Sequence, residues 1–234
     1  MSPFLGEFFG TAILLFLGGS VVANVILDKT KGNGSGLIVI AWGWAMAVMI
    51  PAIMFGEISG SHFNPALSLA LAINGGLDWA LLPGYIAAQF GGAMLGAFLT
   101  WLHYRDHFDI TQDKGAKLGV FSTGPAIAKT SSNLISEFLG TFVLVFALLG
   151  FGNQPFADGT NFFGVGGLIL AIGVSLGGTT GYAINPARDL GPRIVYALLP
   201  IKDKRDPDWG YSWIPVVGPV AGAVAAALLA GAVF

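Results

Sequence analysis

The chain has 234 residues, 54% of them hydrophobic and only 10% charged, and its mean hydropathy is +0.73. Ordinary soluble domains carry about 25% charged and about 45–50% apolar residues, so this composition belongs in lipid. A net charge of −2 and the absence of cysteine exclude a nucleic-acid surface, a disulfide framework, a thiolate metal site and a cysteine nucleophile.

A membrane-crossing helix needs about 20 mostly apolar residues. Six segments meet that requirement: 4–27, 36–56, 81–104, 133–152, 162–181 and 211–233. The first opens "MSPFLGEFF", with no basic run and with Glu7 early in the apolar stretch, unlike a cleaved signal peptide. The second contains "WGWAMAV" and runs into "FGEISG", where Glu57 reads as a solvated carboxylate at the inner mouth or, alternatively, a pH gate. Residues 64–75 come next; they are apolar but too short to cross, and they open with Asn64-Pro65-Ala66. After the third span, the polar stretch 104–133 links two halves. The fourth and fifth spans follow, then a second short apolar segment, 185–199, opening with Asn185-Pro186-Ala187. Proline suits the first turn of a helix because its missing N–H is unpaired there anyway. Both short segments are therefore expected to be half-helices that start near the middle of the bilayer.

The halves repeat. "GEFFGTAILLFLG" (6–18) returns as "SEFLGTFVLVFAL" (136–148), with Glu7 matching Glu137. "GSHFNPALSL" (60–69) returns as "GYAINPARDL" (181–190), and 83–97 corresponds to 214–228. The chain thus reads as one domain, 1–234, with repeats of about 1–104 and 133–234 joined by 105–132. Each repeat holds three spans, an odd number, so the second lies upside down relative to the first. Such repeats with broken helices carry their site at the repeat interface, and irregular backbone at that depth is tolerated where it lines a water-filled cavity. Asn64 and Asn185 would face each other there as hydrogen-bond donors. Two positive helix ends aimed at one spot repel cations and protons, which suits neutral solutes.

Glu7 and Glu137 lie inside spans, where a charge costs about 2.5–3.5 kcal/mol. Their matched positions point to a structural role, accepting hydrogen bonds from the loops that hold the half-helices. His62, beside the first box, reads as loop-orienting or pore-lining, with no metal implied. Trp101, Trp209 and Trp213 read as interfacial anchors, Gly91, Gly92 and Gly96 as helix-packing positions, and the charged run 202–206 as a solvated loop. No acid–base pair, nucleophile or phosphate cradle is present to suggest an enzyme, and no cofactor is implied.

Paired Asn-Pro-Ala boxes, with Glu-Phe-x-Gly-Thr opening each half, resemble the aquaporin family from end to end of the chain. The resemblance implies an all-α membrane protein: six transmembrane helices, two re-entrant half-helices, one pore per subunit and a homotetramer. It places the family's selectivity filter at Trp44, Gly173, Tyr182 and Arg188, with Trp42 as an alternative to Trp44. Gly173 stands where water-selective members carry His and glycerol facilitators carry Gly. Its missing side chain is expected to widen the pore, with Trp44 and Tyr182 as a greasy corner and Arg188 donating from the other side. Asp189, Arg193 and Pro215-Val216 resemble the glycerol-conducting branch. The implied function is passive passage of glycerol, water and small uncharged solutes such as dihydroxyacetone. A water-selective channel is the nearest alternative, and an ion-coupled transporter using Glu7, Glu137 or Glu57 a more distant one. The compact chain with short termini suits a bacterial plasma membrane. One feature runs against the family's orientation, in which both termini are cytoplasmic. The inner loops 57–63 and 153–161 hold no Lys or Arg, whereas inner loops ordinarily carry the excess.

Overall fold

The computed structural model of the chain describes residues 1–152, 154–157 and 160–234. Among the described residues it holds nine helices: α1 (Pro3–Ile26), α2 (Leu37–Ser59), α3 (Pro65–Ile73), α4 (Leu82–Ile110), α5 (Lys114–Gly119), α6 (Thr130–Phe151), α7 (Asn161–Leu176), α8 (Pro186–Leu198) and α9 (Ile214–Val233). In the loop 153–161, Asn153, Asp158 and Gly159 lie outside the described residues.

Five of these helices, α1, α2, α4, α6 and α9, are long and apolar enough to cross a membrane. The fifth segment expected to span, 162–181, is shorter than its hydropathy suggested. The helix there, α7, has 16 residues, about 24 Å at 1.5 Å per residue. It stops at Leu176 because Gly177 and Gly178 follow, and glycine is a poor helix former. The chain then leaves helical geometry through Gly181 (φ +84°) and Tyr182 (φ +41°) on its way to Asn185. The linker departs from expectation too. α4 continues through a non-helical Tyr104 to Ile110, and Asp113 caps α5 by accepting from the N–H groups of Gly115 and Ala116 at 2.7 and 3.1 Å.

Helix α1 packs along α4 and α2, α6 packs along α9 and α7, and the halves join where α2 meets α7, α4 meets α8 and α3 meets α9. The tightest crossings are made by glycine. A Cβ on Gly92 would lie 2.2 Å from the carbonyl oxygen of Phe8, and one on Gly222 would lie 2.3 Å from that of Phe138. Phe8 follows Glu7 and Phe138 follows Glu137, so Gly92 and Gly222 are the equivalent positions. The gapless match of 83–97 to 214–228 is therefore one residue out of register, since it sets Gly92 opposite Ala223.

Candidate functional site

The two half-helices begin in the same way. Asn64 and Asn185 are N-caps in extended conformation, and each Oδ1 accepts the N–H two residues on, Ala66 and Ala187, at 3.0 Å. Such a cap satisfies a donor that the first turn otherwise strands. The amide nitrogens cross between the halves: Asn64 Nδ2 donates to the Ile184 carbonyl and Asn185 Nδ2 to the Phe63 carbonyl, both at 2.8 Å. The two N-termini therefore meet, and Pro65, Ala66, Pro186 and Ala187 pack buried behind them. Among the described residues each Nδ2 makes that one hydrogen bond, and both asparagines line a cavity of about 310 Å³. The second N–H of each is left for a solute.

The approach to each cap is strained and braced. Ser61 and Phe63 in one loop, and Tyr182 and Ile184 in the other, have φ between +41° and +53°, which costs non-glycine residues about 1–3 kcal/mol each. Buried carboxylates offset it. Glu7 Oε1 accepts from Ser59 Oγ (2.7 Å) and the His62 N–H (2.9 Å), and Oε2 from the Phe63 N–H (2.7 Å). Glu137 repeats the pattern with Thr180 Oγ1 (2.7 Å) and the N–H groups of Ala183 (3.0 Å) and Ile184 (2.8 Å). In the first half a further amide joins. Gln89 Nε2 donates to Glu7 Oε2 at 2.7 Å and to Ser68 Oγ at 2.8 Å, and Ser68 Oγ meets His62 Nδ1 at 3.0 Å. Sequence reasoning missed Gln89. It is a single amide in an apolar helix, a pattern that marks a polar contact between spans.

At one end the cavity is lined by Trp44, Tyr182 and Arg188, in its middle by His62, Asn64 and Asn185, and beyond them by apolar side chains including Leu71, Leu148 and Phe162. Trp44 is buried and lines the cavity, whereas Trp42 is 52% exposed on the outer face of α2. The Arg188 guanidinium does not stand across the pore from Trp44. Its Cζ lies 4.0 Å over the indole ring, a cation–π contact worth up to about 2 kcal/mol when desolvated. Gly173 also differs from expectation, because it does not line the cavity. A Cβ there would lie 2.9 Å from Tyr182 Oη, and one on Gly177 would lie 2.6 Å from Tyr182 Cδ1. These two glycines, one helical turn apart, form a seat for the Tyr182 ring. Gly173 thus bears on the bore indirectly, by letting the ring retreat into α7. The Tyr182 hydroxyl is buried in that seat, without a hydrogen-bond partner among the described residues, so it faces helix rather than lumen. Gly18 on α1 receives Trp44 in the same way, since a Cβ there would lie 2.3 Å from the indole.

The linker turns out to be part of the site. Val120, Phe121, Ser122 and Thr123 are buried, and the Phe121 carbonyl accepts from Arg188 Nη1 at 3.4 Å. Asp189 and Arg193 form a fully buried ion pair at 2.7 Å, which holds Thr123 and is tied to the carbonyls of Pro207 and Asp208. The run 202–206 is more than a solvated loop. Lys204 Nζ caps the end of α8, donating to the carbonyls of Tyr196, Ala197 and Leu199 at 2.7–2.9 Å. A cation suits that negative end of the helix dipole, and desolvation pulls its pKa below the ordinary lysine value. Glu57 is exposed in the last turn of α2.

Comparison with known proteins matches residues 1–230 to the family described as Major intrinsic protein. The chain is 55% identical over 229 residues to a glycerol uptake facilitator protein of Streptococcus pneumoniae, covering 98% of each. It is 53% identical over 222 residues to the glycerol uptake facilitator protein of Bacillus subtilis, covering 95% of this chain and 81% of the relative. Among solved structures, the aquaglyceroporin from Plasmodium falciparum superposes with a TM-score of 0.84 at 28% identity, covering 97% of this chain and 93% of that one.

Proposed function

The chain belongs to the major intrinsic protein family, and we propose that it is a passive, bidirectional membrane channel for glycerol, with water and other small uncharged solutes such as dihydroxyacetone. The observation that carries this reading is the cluster at one end of the cavity. Two aromatic rings, Trp44 and Tyr182, stand beside the guanidinium of Arg188. A polyol has a hydrocarbon face and a hydroxyl face, and this cluster offers a partner for each. Arginine carries five N–H donors, and among the described residues the side chain of Arg188 makes one hydrogen bond, to Phe121. Deeper in, Asn64 and Asn185 donate to a passing hydroxyl while the two helix N-termini oppose cations and protons. Glu7 and Glu137 act as braces, each already committed to loop N–H and hydroxyl donors, which favours a channel over an ion-coupled carrier. The chain works as a homotetramer in the plasma membrane, each subunit with its own pore.

Light scattering of proteoliposomes under sucrose and then glycerol gradients tests the reading, with Gly173→His measured alongside. Wild-type protein passes glycerol, and the histidine, which evicts Tyr182 from its seat, removes glycerol passage while water still flows. Wild-type vesicles that pass water and exclude glycerol would make this a water channel instead.

A further inference from the structure

Thr123 does not line the cavity, yet it packs against the chain neighbours of two filter residues, Arg188 and Tyr182. Its N–H and its Oγ1 both donate to Asp189 Oδ2 at 2.7 Å, and its carbonyl accepts from Arg193 Nη2 at 2.9 Å. Its N–H, its hydroxyl proton and its carbonyl thus all go to the buried ion pair of α8, its hydroxyl also neighbours that of Tyr211, and Asp189 is the residue after Arg188. On its other side, a Cβ at Gly181 would lie 3.3 Å from the Thr123 methyl, and Gly181 is the residue before Tyr182. Two positions upstream in the linker, the Phe121 carbonyl accepts from Arg188. The Phe121 ring is wedged between Phe108 and Tyr196, with centroids 5.5 and 5.3 Å away. The linker is therefore pinned at 121 by aromatic packing and at 123 by hydrogen bonds, and the carbonyl that steadies Arg188 lies between those pins.

We propose that Thr123 is a specificity-determining position of this channel: a positioning residue that sets the bore at Trp44, Tyr182 and Arg188 from the linker, through the Phe121 carbonyl and the Asp189–Arg193 pair. The proposal rests on the reading of those three residues as the filter. Valine keeps the shape of threonine and removes its donor. Asp189 then keeps the backbone N–H and the arginine but loses one charge-assisted hydrogen bond, so the linker and the Arg188 partner it carries are held less firmly.

The test is the ratio of xylitol to glycerol permeability in proteoliposomes, each normalised to the amount of channel reconstituted. In Thr123→Val this ratio rises by about three- to tenfold, the scale of one ordinary intramolecular hydrogen bond and so only part of what a bond to a charged group is worth, and Thr123→Ser, which restores the donor, returns most of it. Thr123→Ala, which loses the hydroxyl without a bulkier replacement, shifts the ratio the same way and serves where the valine variant does not reconstitute. In an Arg188→Ala background the Thr123→Val change has no further effect, since two steps in one chain of contacts are not additive. An unchanged ratio in the valine and alanine variants, or an equal shift with and without Arg188, overturns the proposal. Wild-type vesicles that exclude glycerol defeat the filter reading itself, a separate and prior result.

Discussion

The two half-helices share one frame and present different chemistry to the cavity. α3 and α8 both start at Asn-Pro-Ala, their caps differ by only a few degrees in φ and ψ, and Glu7 and Glu137 grip equivalent atoms before them. At matching positions, however, Ser61 stands for Tyr182, His62 for Ala183, Leu67 for Arg188 and Ser68 for Asp189. The first half is held by neutral hydrogen bonds among His62, Ser68 and Gln89, the second by an ion pair that also fastens the linker. The mouths differ accordingly. Tyr182 occupies the glycine seat on α7, whereas at the equivalent Gly56 a Cβ would lie 2.7 Å from the ring of Phe162, an aromatic supplied by the other half. The capping and bracing chemistry makes the frame, and the few residues around each box decide what a solute meets.

The largest way to break the comparison is Arg193→Met. It leaves Asp189 as a buried, uncompensated charge, a loss of about 3–5 kcal/mol. Thermal unfolding in detergent is expected to show a severely destabilised protein, and a midpoint near wild type would mean the pair holds little. Next comes Gly177→Ala, whose methyl overpacks the Tyr182 seat by about 1–3 kcal/mol. The ring shifts toward the lumen and glycerol permeability falls roughly tenfold, the equivalent of about 1.4 kcal/mol in the barrier. Adding Tyr182→Leu restores passage. Glycerol flux that stays low in the double variant would trace the defect to the helix end, where the same methyl lies 2.5 Å from the Gly173 carbonyl. The smallest effect is Ser68→Ala, the counterpart of the Asp189 site. Loss of neutral hydrogen bonds costs about 1 kcal/mol, read as a modest drop in unfolding midpoint. A loss as large as that of Arg193→Met would remove the asymmetry between the halves.

The sequence by itself determined what depends on short stretches: five apolar spans of sufficient length, the Asn-Pro-Ala caps, the repeat that pairs Glu7 with Glu137, and the family. Hydropathy, N-capping and proline at a first turn act within a few residues, so they are legible in the string of letters. Trp44 and Trp42 stood as alternatives in the sequence, and burial separates them, since Trp44 lines the cavity and Trp42 is exposed. What only the tertiary structure decided involves residues far apart in the chain. Gly173 matters through a ring nine positions later, and Gly177 gained meaning only once that ring lay over it. Gln89 was one amide among apolar neighbours until α4 was set against α1 and α3. The stretch 104–133 read as a polar connector, because nothing local says that Phe121 and Thr123 are buried against α8. Helix α7 ended early because the descent to Asn185 needs left-handed turns that hydropathy does not sense. Packing and desolvated hydrogen bonds act across space, and which distant residues they join is settled when the helices pack.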